Sequence, residues 1–228
     1  MTSSALGTSV GKKTVMAVTG LILFGFVIVH MLGNLQIFLG REALNSYAEH
    51  LEELGPLLWV ARAVLLAALI AHVYTAARLT YENSQARPIG YAHKDTVQAS
   101  YASRTMMMSG VIVFLFIVYH LLHFTFCVTQ PGFKNLLDAG GDRDVYAMVI
   151  LGFQSVPVSV VYVLAMLALA FHLSHGVQSL FQTLGFNHPN ATPFIRTASV
   201  GFGLLVLFGN SSIPLAVLSG VLRAPGAP

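Results

Sequence analysis

Nine histidines occur in this 228-residue chain, and it is their placement that indicates chemistry. Six lie within long apolar stretches: His30, His72, His120, His123, His172 and His175. Ionisable side chains at such depth in a membrane are expensive, so they are functional candidates by default. Two neutral imidazoles that face each other are what a bis-histidine haem iron requires. The alternative for each residue is a hydrogen bond between helices that serves only packing.

Five apolar stretches are long enough to hold these side chains inside a bilayer, at residues 14–39, 56–81, 105–128, 156–184 and 193–222. About 20 apolar residues cross a bilayer core, and backbone groups in lipid must pair within their own segment, which predicts uninterrupted α-helices. Only 9% of the residues are charged, against roughly 25% in a soluble domain. We therefore predict a single all-α domain, residues 1–228, forming an integral membrane bundle of five helices. We recognise no internal repeat.

One histidine in each of the first four helices lies at a matching depth. His30, His72, His120 and His172 are 15 or 16 residues beyond the predicted helix starts, or about 23 Å at 1.5 Å per residue. Because successive helices run in opposite directions, His30 should face His120 near the outer end and His72 should face His172 near the inner end. The arrangement predicts two haem b groups, each held by two histidine ligands.

The roles of two further groups of titratable residues stay open. His123 and His175 each follow a ligand candidate by three residues and share its helix face, so either could be the ligand, or could serve a propionate or a quinone. Matching depth favours the earlier histidine of each pair. His50 and Glu52 lie just before the second helix and could exchange protons with quinol, although a solvated loop is the simpler interpretation.

Basic residues are distributed unevenly between the two ends of the helices. With a cytoplasmic N-terminus, and leaving aside Arg62 within helix two, seven Lys and Arg residues lie inside and four outside, which satisfies the positive-inside rule. The inner seven are Lys12, Lys13, Arg78, Arg87, Lys94, Arg104 and Arg196. Lys12, Lys13, Arg78 and Arg104 could instead pair with the propionates of the inner haem. The basic residues form no dense run, so the net charge of +3 does not indicate nucleic acid as a partner.

Several short segments, in order along the chain, resemble a known family. In the first two helices they are residues 19–22, 29–31, 38–40, 70–72 and 77–78. Later segments are residues 118–120, 129–131, 171–172 and 178–185, with Gly176 four residues after His172. The chain resembles the dihaem cytochrome b membrane anchor of bacterial succinate dehydrogenases and fumarate reductases, the single-polypeptide, five-helix kind, over essentially its whole length.

The resemblance implies an electron-transfer role without succinate chemistry in this subunit. Such an anchor holds a flavoprotein subunit and an iron–sulfur subunit at the cytoplasmic face of the bacterial inner membrane. Electrons pass from the clusters through the inner haem to the outer haem and a quinone, which is expected to be menaquinone. The resemblance favours His172 over His175, since a glycine follows the family's fourth ligand by four residues. The basic inner loop, residues 81–104, is expected to bind the iron–sulfur subunit.

Two other functions stay open. One is a cytochrome b anchor of another oxidoreductase, such as a formate dehydrogenase or a hydrogenase. The other, from a different class, is a transporter that relays protons through buried histidines. A transporter of that kind predicts paired acids or broken helices near the midplane, and the five predicted spans contain no Asp or Glu.

Overall fold

The computed structural model describes residues 7–86, 104–186 and 188–224. Five helices in these ranges are long and apolar enough to cross a membrane: Ser9–Leu39, Pro56–Gln85, Met106–Thr125, Val156–Thr183 and Thr192–Leu218. Regular structure in the described residues is helical apart from one isolated β-bridge between Leu137 and Arg143. The predicted all-α membrane bundle of five helices is confirmed, while the cytoplasmic N-terminus stays a prediction.

The described residues form seven α-helices: α1 (Ser9–Asn34), α2 (Arg41–Glu53), α3 (Pro56–Gln85), α4 (Met106–His120), α5 (Val145–Phe153), α6 (Val156–Thr183) and α7 (Thr192–Leu218). A 3-10 segment, Leu35–Leu39, completes the first span, and a second one lies at Pro131–Asn135. The short helices α2 and α5 were not predicted, and α2 occupies the position of the expected outer loop. Below, the inner end of the bundle is the end where α1 begins and α3 finishes.

Helix starts coincide with residues that satisfy or remove a free backbone amide. The Gly11 amide donates to the side chain of Thr8 before α1, at 3.0 Å. Pro56, Pro157 and Pro193 occupy the first or second position of α3, α6 and α7. Proline has no amide hydrogen to leave unpaired at that position, and its φ suits a helix.

The third span does not continue as a regular α-helix to residue 128, as the apolar pattern predicted. After His120 it passes into a π turn, Leu121–Thr125, in which the Phe126 amide donates to the Leu121 carbonyl at 2.8 Å. Cys127 then adopts a positive φ of 51° and ends the segment. The expectation of five uninterrupted helices is therefore wrong here. Single π turns of this kind often accompany functional sites, and this one carries His123.

Helices α6 and α7 share the most extensive contact among the described helices. At Gly203 of α7, an added Cβ would lie 2.7 Å from the carbonyl oxygen of Ala170 in α6. Ser199 and Val206, which flank Gly203 on α7, are fully buried. Small residues allow this approach of two backbones, which is how membrane helices gain packing energy without a hydrophobic driving force between them.

A buried carboxylate joins the two short outer helices. Asp144 is 2% exposed and accepts hydrogen bonds from Arg41 Nη2 at 2.6 Å and from Asn45 Nδ2 at 3.0 Å, both in α2. It also caps α5, since the Ala147 amide donates to it at 3.1 Å. The ion pair and the helix cap together hold α2 against the start of α5.

Acid is expected to weaken this connection. Burial raises the pKa of the Asp144 carboxyl, but hydrogen bonds from Arg41, the Ala147 amide and Asn45 outweigh burial and hold that pKa below its usual value. Stability from a carboxyl with a depressed folded pKa is present above the unfolded pKa and is lost as pH falls through the folded pKa. Thermal unfolding in detergent should therefore show the wild type losing stability below about pH 4.

The matching variant is Asp144→Asn. It should be destabilised at neutral pH, because the charge-assisted hydrogen bond from Arg41 and the ionic helix cap are weakened, and it should lose less stability on acidification. Glu49→Gln changes an exposed carboxyl of α2 and serves as the control that keeps the wild-type profile. Equal acid sensitivity in Asp144→Asn and the wild type would contradict this role.

Candidate functional site

His72 of α3 and His172 of α6 face each other toward the inner end of the bundle. Their ring centres are 6.3 Å apart and the ring planes differ by 65°. Each ring also meets a hydroxyl from another helix: Thr19 Oγ1 of α1 lies 3.2 Å from His72 Nδ1, and Ser109 Oγ of α4 lies 3.4 Å from His172 Nδ1. Four helices therefore contribute to this inner pair.

His30 of α1 and His120 at the end of α4 form the corresponding outer pair. Their ring centres are 5.8 Å apart and the planes differ by 85°. Phe26 stacks on His30 with centres 5.2 Å apart, and Phe116 lies 5.9 Å from His120, each phenylalanine one helical turn before its histidine. His120 Nδ1 is 3.3 Å from the hydroxyl of Tyr162 in α6.

The spacing of both pairs suits a metal ion between two imidazoles. A metal–imidazole bond is about 2.0–2.1 Å long and the ring centre lies roughly 1.1 Å behind the nitrogen, so rings on opposite sides of one metal have centres about 6.3 Å apart. The two pairs measure 6.3 and 5.8 Å. Among the described residues, no cluster of three or more His, Cys, Asp or Glu could hold a bare metal ion. Two ligands per site fit a metal that brings its own equatorial ligands, as haem iron does.

One face of α1 contributes side chains to both the inner and the outer histidine pair. Thr19, which meets the inner pair, and His30, which belongs to the outer pair, are 11 residues apart. That separation is about 16 Å along the helix and close to three full turns, so both side chains point in nearly the same direction. Ser109 and His120 have the same separation on α4.

The equivalent roles of α1 and α4 reflect a short internal repeat. Residues 16–30 and 106–120 are identical at six of 15 aligned positions, which are Met16/Met106, Gly20/Gly110, Ile22/Ile112, Phe24/Phe114, Phe26/Phe116 and His30/His120. Thr19 aligns with Ser109. The expectation that the chain has no internal repeat is therefore wrong. This repeat is the signal that could have identified the two hydroxyls from the sequence.

His123 lies beside the outer pair but is placed differently from His120. It is 1% exposed, its Nδ1 is 2.9 Å from the Tyr162 hydroxyl, and its ring centre is 4.0 Å from that of Phe124. Tyr162 thus contacts both histidines, and sequence reasoning missed it. On α6, His175 is half-buried one turn beyond His172. The geometry favours His120 and His172 as members of the facing pairs.

His50 and Glu52 lie on the exposed surface of α2. His50 Nδ1 is 2.8 Å from the Ser46 carbonyl in its own helix. Glu52 lines an outer cleft of about 330 Å³ between α2 and residues 138–145. They belong to a helix in place of the expected solvated loop.

At the inner end, Lys12 is 6% exposed and forms an ion pair with Glu82. Arg78 Nη2 donates to the same carboxylate at 3.1 Å. This connection ties the start of α1 to the end of α3, so two of the four basic residues considered for propionates already have a protein partner. Most of the expected docking loop, residues 87–103, lies outside the described residues.

Comparison with protein families decides what kind of subunit these helices form. A family model for the succinate dehydrogenase/fumarate reductase transmembrane subunit matches residues 80–210, which is more than half of the chain. The chain belongs to this family. The match to succinate dehydrogenase/fumarate reductase transmembrane subunits includes His120 and His172, while their facing partners His30 and His72 lie before it. Comparison with curated proteins and with solved structures returned no match.

Family membership confirms the predicted resemblance at the level of succinate dehydrogenase/fumarate reductase membrane subunits. The single-polypeptide, five-helix, dihaem kind stays a prediction. Residues 16–30, which lie before the matched region, are similar to residues 106–120 within it. His30 aligns with His120 in this repeat.

Proposed function

We propose that this subunit passes electrons between an iron–sulfur subunit at the inner face and a quinone in the membrane, through two haem b groups. The observation that carries the proposal is the pair of facing imidazole couples, with ring centres 6.3 and 5.8 Å apart. His72 and His172 would hold the inner haem, and His30 and His120 the outer one. Haem b held by two imidazoles would supply a one-electron carrier.

The residues around each couple keep the imidazoles in a form that can bind metal. Neutral imidazole is the ligand, and an apolar helix interior disfavours the charged form. Phe26 and Phe116 cover the outer rings, and Gly20 and Gly110 lie against the inner ones. The two levels are about 16 Å apart along α1, which suits stepwise transfer from one face of the membrane toward the other.

Support for the proposed partners comes from the family and from the distribution of basic residues. The proposal places flavoprotein and iron–sulfur subunits at the cytoplasmic face of a bacterial inner membrane, with menaquinone as the quinone. His50 and Glu52 stay candidates for proton exchange with quinol, and His123 and His175 stay the less favoured ligands. Family membership weakens the two alternative hypotheses, which are an anchor of another oxidoreductase and a histidine-based transporter.

Spectroscopy and activity of the assembled complex test the proposal. Intact complex, produced with its flavoprotein and iron–sulfur subunits under haem-replete conditions, should contain about two haems b per copy of this chain and show a b-type α band on reduction with dithionite. Membranes should couple succinate oxidation to menaquinone reduction. Membranes that lack this chain should retain succinate oxidation only with a soluble artificial acceptor. A complex free of tetrapyrrole would overturn the haem proposal.

A further inference from the structure

Thr19 of α1 and Ser109 of α4 occupy equivalent positions beside the inner histidines. They align in the internal repeat, and each hydroxyl oxygen is 3.2–3.4 Å from Nδ1 of the histidine on a neighbouring helix. Each is followed by a glycine, at which an added Cβ would lie 3.3 Å from Cε1 of the same ring. The glycine leaves the ring room against the helix backbone, and the preceding hydroxyl then reaches its Nδ1.

The hydroxyl protons are already committed to the backbone. Thr19 Oγ1 donates to the Val15 carbonyl at 2.8 Å, and Ser109 Oγ donates to the Met106 carbonyl at 3.0 Å. A hydroxyl has one proton and two acceptor lone pairs. While its proton is donated to the carbonyl, each oxygen is an acceptor toward the imidazole, which favours the tautomer with hydrogen on Nδ1. Backbone hydrogen bonds of His72 with Met16 and of His172 with Met106 add to this environment. The lone pair of Nε2 is then free for a metal.

The outer pair is supported in another way. The Tyr162 hydroxyl lies 3.3 Å from His120 Nδ1 and 2.9 Å from His123 Nδ1, so one phenol is within hydrogen-bond distance of two imidazoles. The hydroxyl contacts that Tyr162 makes here are with imidazoles, whereas Thr19 and Ser109 also donate to backbone carbonyls. The hydroxyl–glycine arrangement is thus a property of the inner level.

We propose that Thr19 and Ser109 are positioning residues for the inner haem, each fixing an axial histidine as the Nδ1–H tautomer and increasing the basicity of its Nε2. This inference rests on the proposed haem function. A hydrogen bond accepted from Nδ1–H makes the imidazole a stronger donor to iron, and a stronger donor stabilises ferric iron relative to ferrous iron. The two hydroxyls therefore lower the reduction potential of the inner haem and leave the outer haem unchanged.

Redox titration of the purified complex, followed by visible absorption, tests this inference. Thr19→Val keeps the shape of the side chain but removes the hydroxyl, and Thr19→Ser keeps the hydroxyl as the matched control. Thr19→Val should raise the inner potential, with a several-fold larger ferrous-to-ferric ratio at a fixed potential; a tenfold change would be 59 mV for one electron. Thr19→Val combined with Ser109→Ala should shift the inner haem further.

The inner haem is identified as the one missing from His72→Ala. The inference is supported if Thr19→Ser has wild-type potentials and Thr19→Val changes only the inner haem, by shifting its potential or by losing it. Three results would overturn it. These are unchanged potentials in the double variant, a shifted potential of the outer haem, or equal potential shifts in Thr19→Ser and Thr19→Val. A wild-type complex without haem would defeat the proposed function instead, so the two failures are distinguishable.

Discussion

Replacement of His72 with alanine is expected to leave about one haem per chain, with the inner haem lost and the outer one retained. A methyl group cannot ligate iron, and among the described residues the ring of His172 would have no facing imidazole at the 6.3 Å spacing seen here. His30→Ala should give the converse, because His30 faces His120 at the outer level. Pyridine haemochrome quantitation gives the stoichiometry, and redox titration should show that the haem left in His72→Ala differs in potential from the haem left in His30→Ala.

Two control replacements separate ligands from neighbouring histidines. His175→Ala should retain both haems, whereas His172→Ala should lose one, since only His172 faces His72. His50→Ala, on the exposed surface of α2, should also retain both. If His72→Ala and His30→Ala both kept two haems, the pairing would be wrong. If His175→Ala lost a haem and His172→Ala did not, the ligand on α6 would be His175.

Replacement of Gly203 with valine is expected to disrupt the bundle. The first atom of any side chain there would lie 2.7 Å from the Ala170 carbonyl oxygen, and a backbone atom in the middle of a helix cannot move aside. Helices α6 and α7 would have to separate, so we expect a loss of roughly 3 kcal/mol, at the upper end of the usual range for overpacking. The amount of monodisperse protein left in detergent after heating measures the effect.

Gly201, two residues earlier on α7, provides the matched control. An added Cβ at Gly201 meets nothing within 4 Å and the residue is exposed. Gly201→Val should therefore unfold at nearly the wild-type temperature, although it makes the same chemical change in the same helix. Similar losses in both variants would mean that valine acts through helix propensity and not through the contact with Ala170.

Much of the bundle could be predicted because few backbone conformations are stable inside a lipid bilayer. A run of about 20 apolar residues must become a helix there, since every backbone amide needs a partner within the segment. The positions of His30, His72, His120 and His172 along their helices then gave two levels from the helical rise alone. The structure places these same four rings as two facing pairs.

Several features depended on contacts that no local pattern reveals. The π turn after His120 interrupts an apolar run that reads as plain helix, and α2 forms in a segment that resembled a loop. Helix α2 is held by Asp144, 99 residues after Asn45 in the chain. Pairing over such a separation is set by which helices become neighbours, and hydropathy does not encode that.

The sequence by itself determined five membrane-spanning helices and the depth of the histidines, because both follow from helical rise and from the demand that lipid makes on the backbone. Only the tertiary structure decided which groups surround each ring: a backbone-bound hydroxyl at His72 and at His172, and the shared phenol of Tyr162 at His120. Those contacts join different helices. They depend on how each helix is rotated about its axis against its neighbours, which only the packing of the whole bundle fixes.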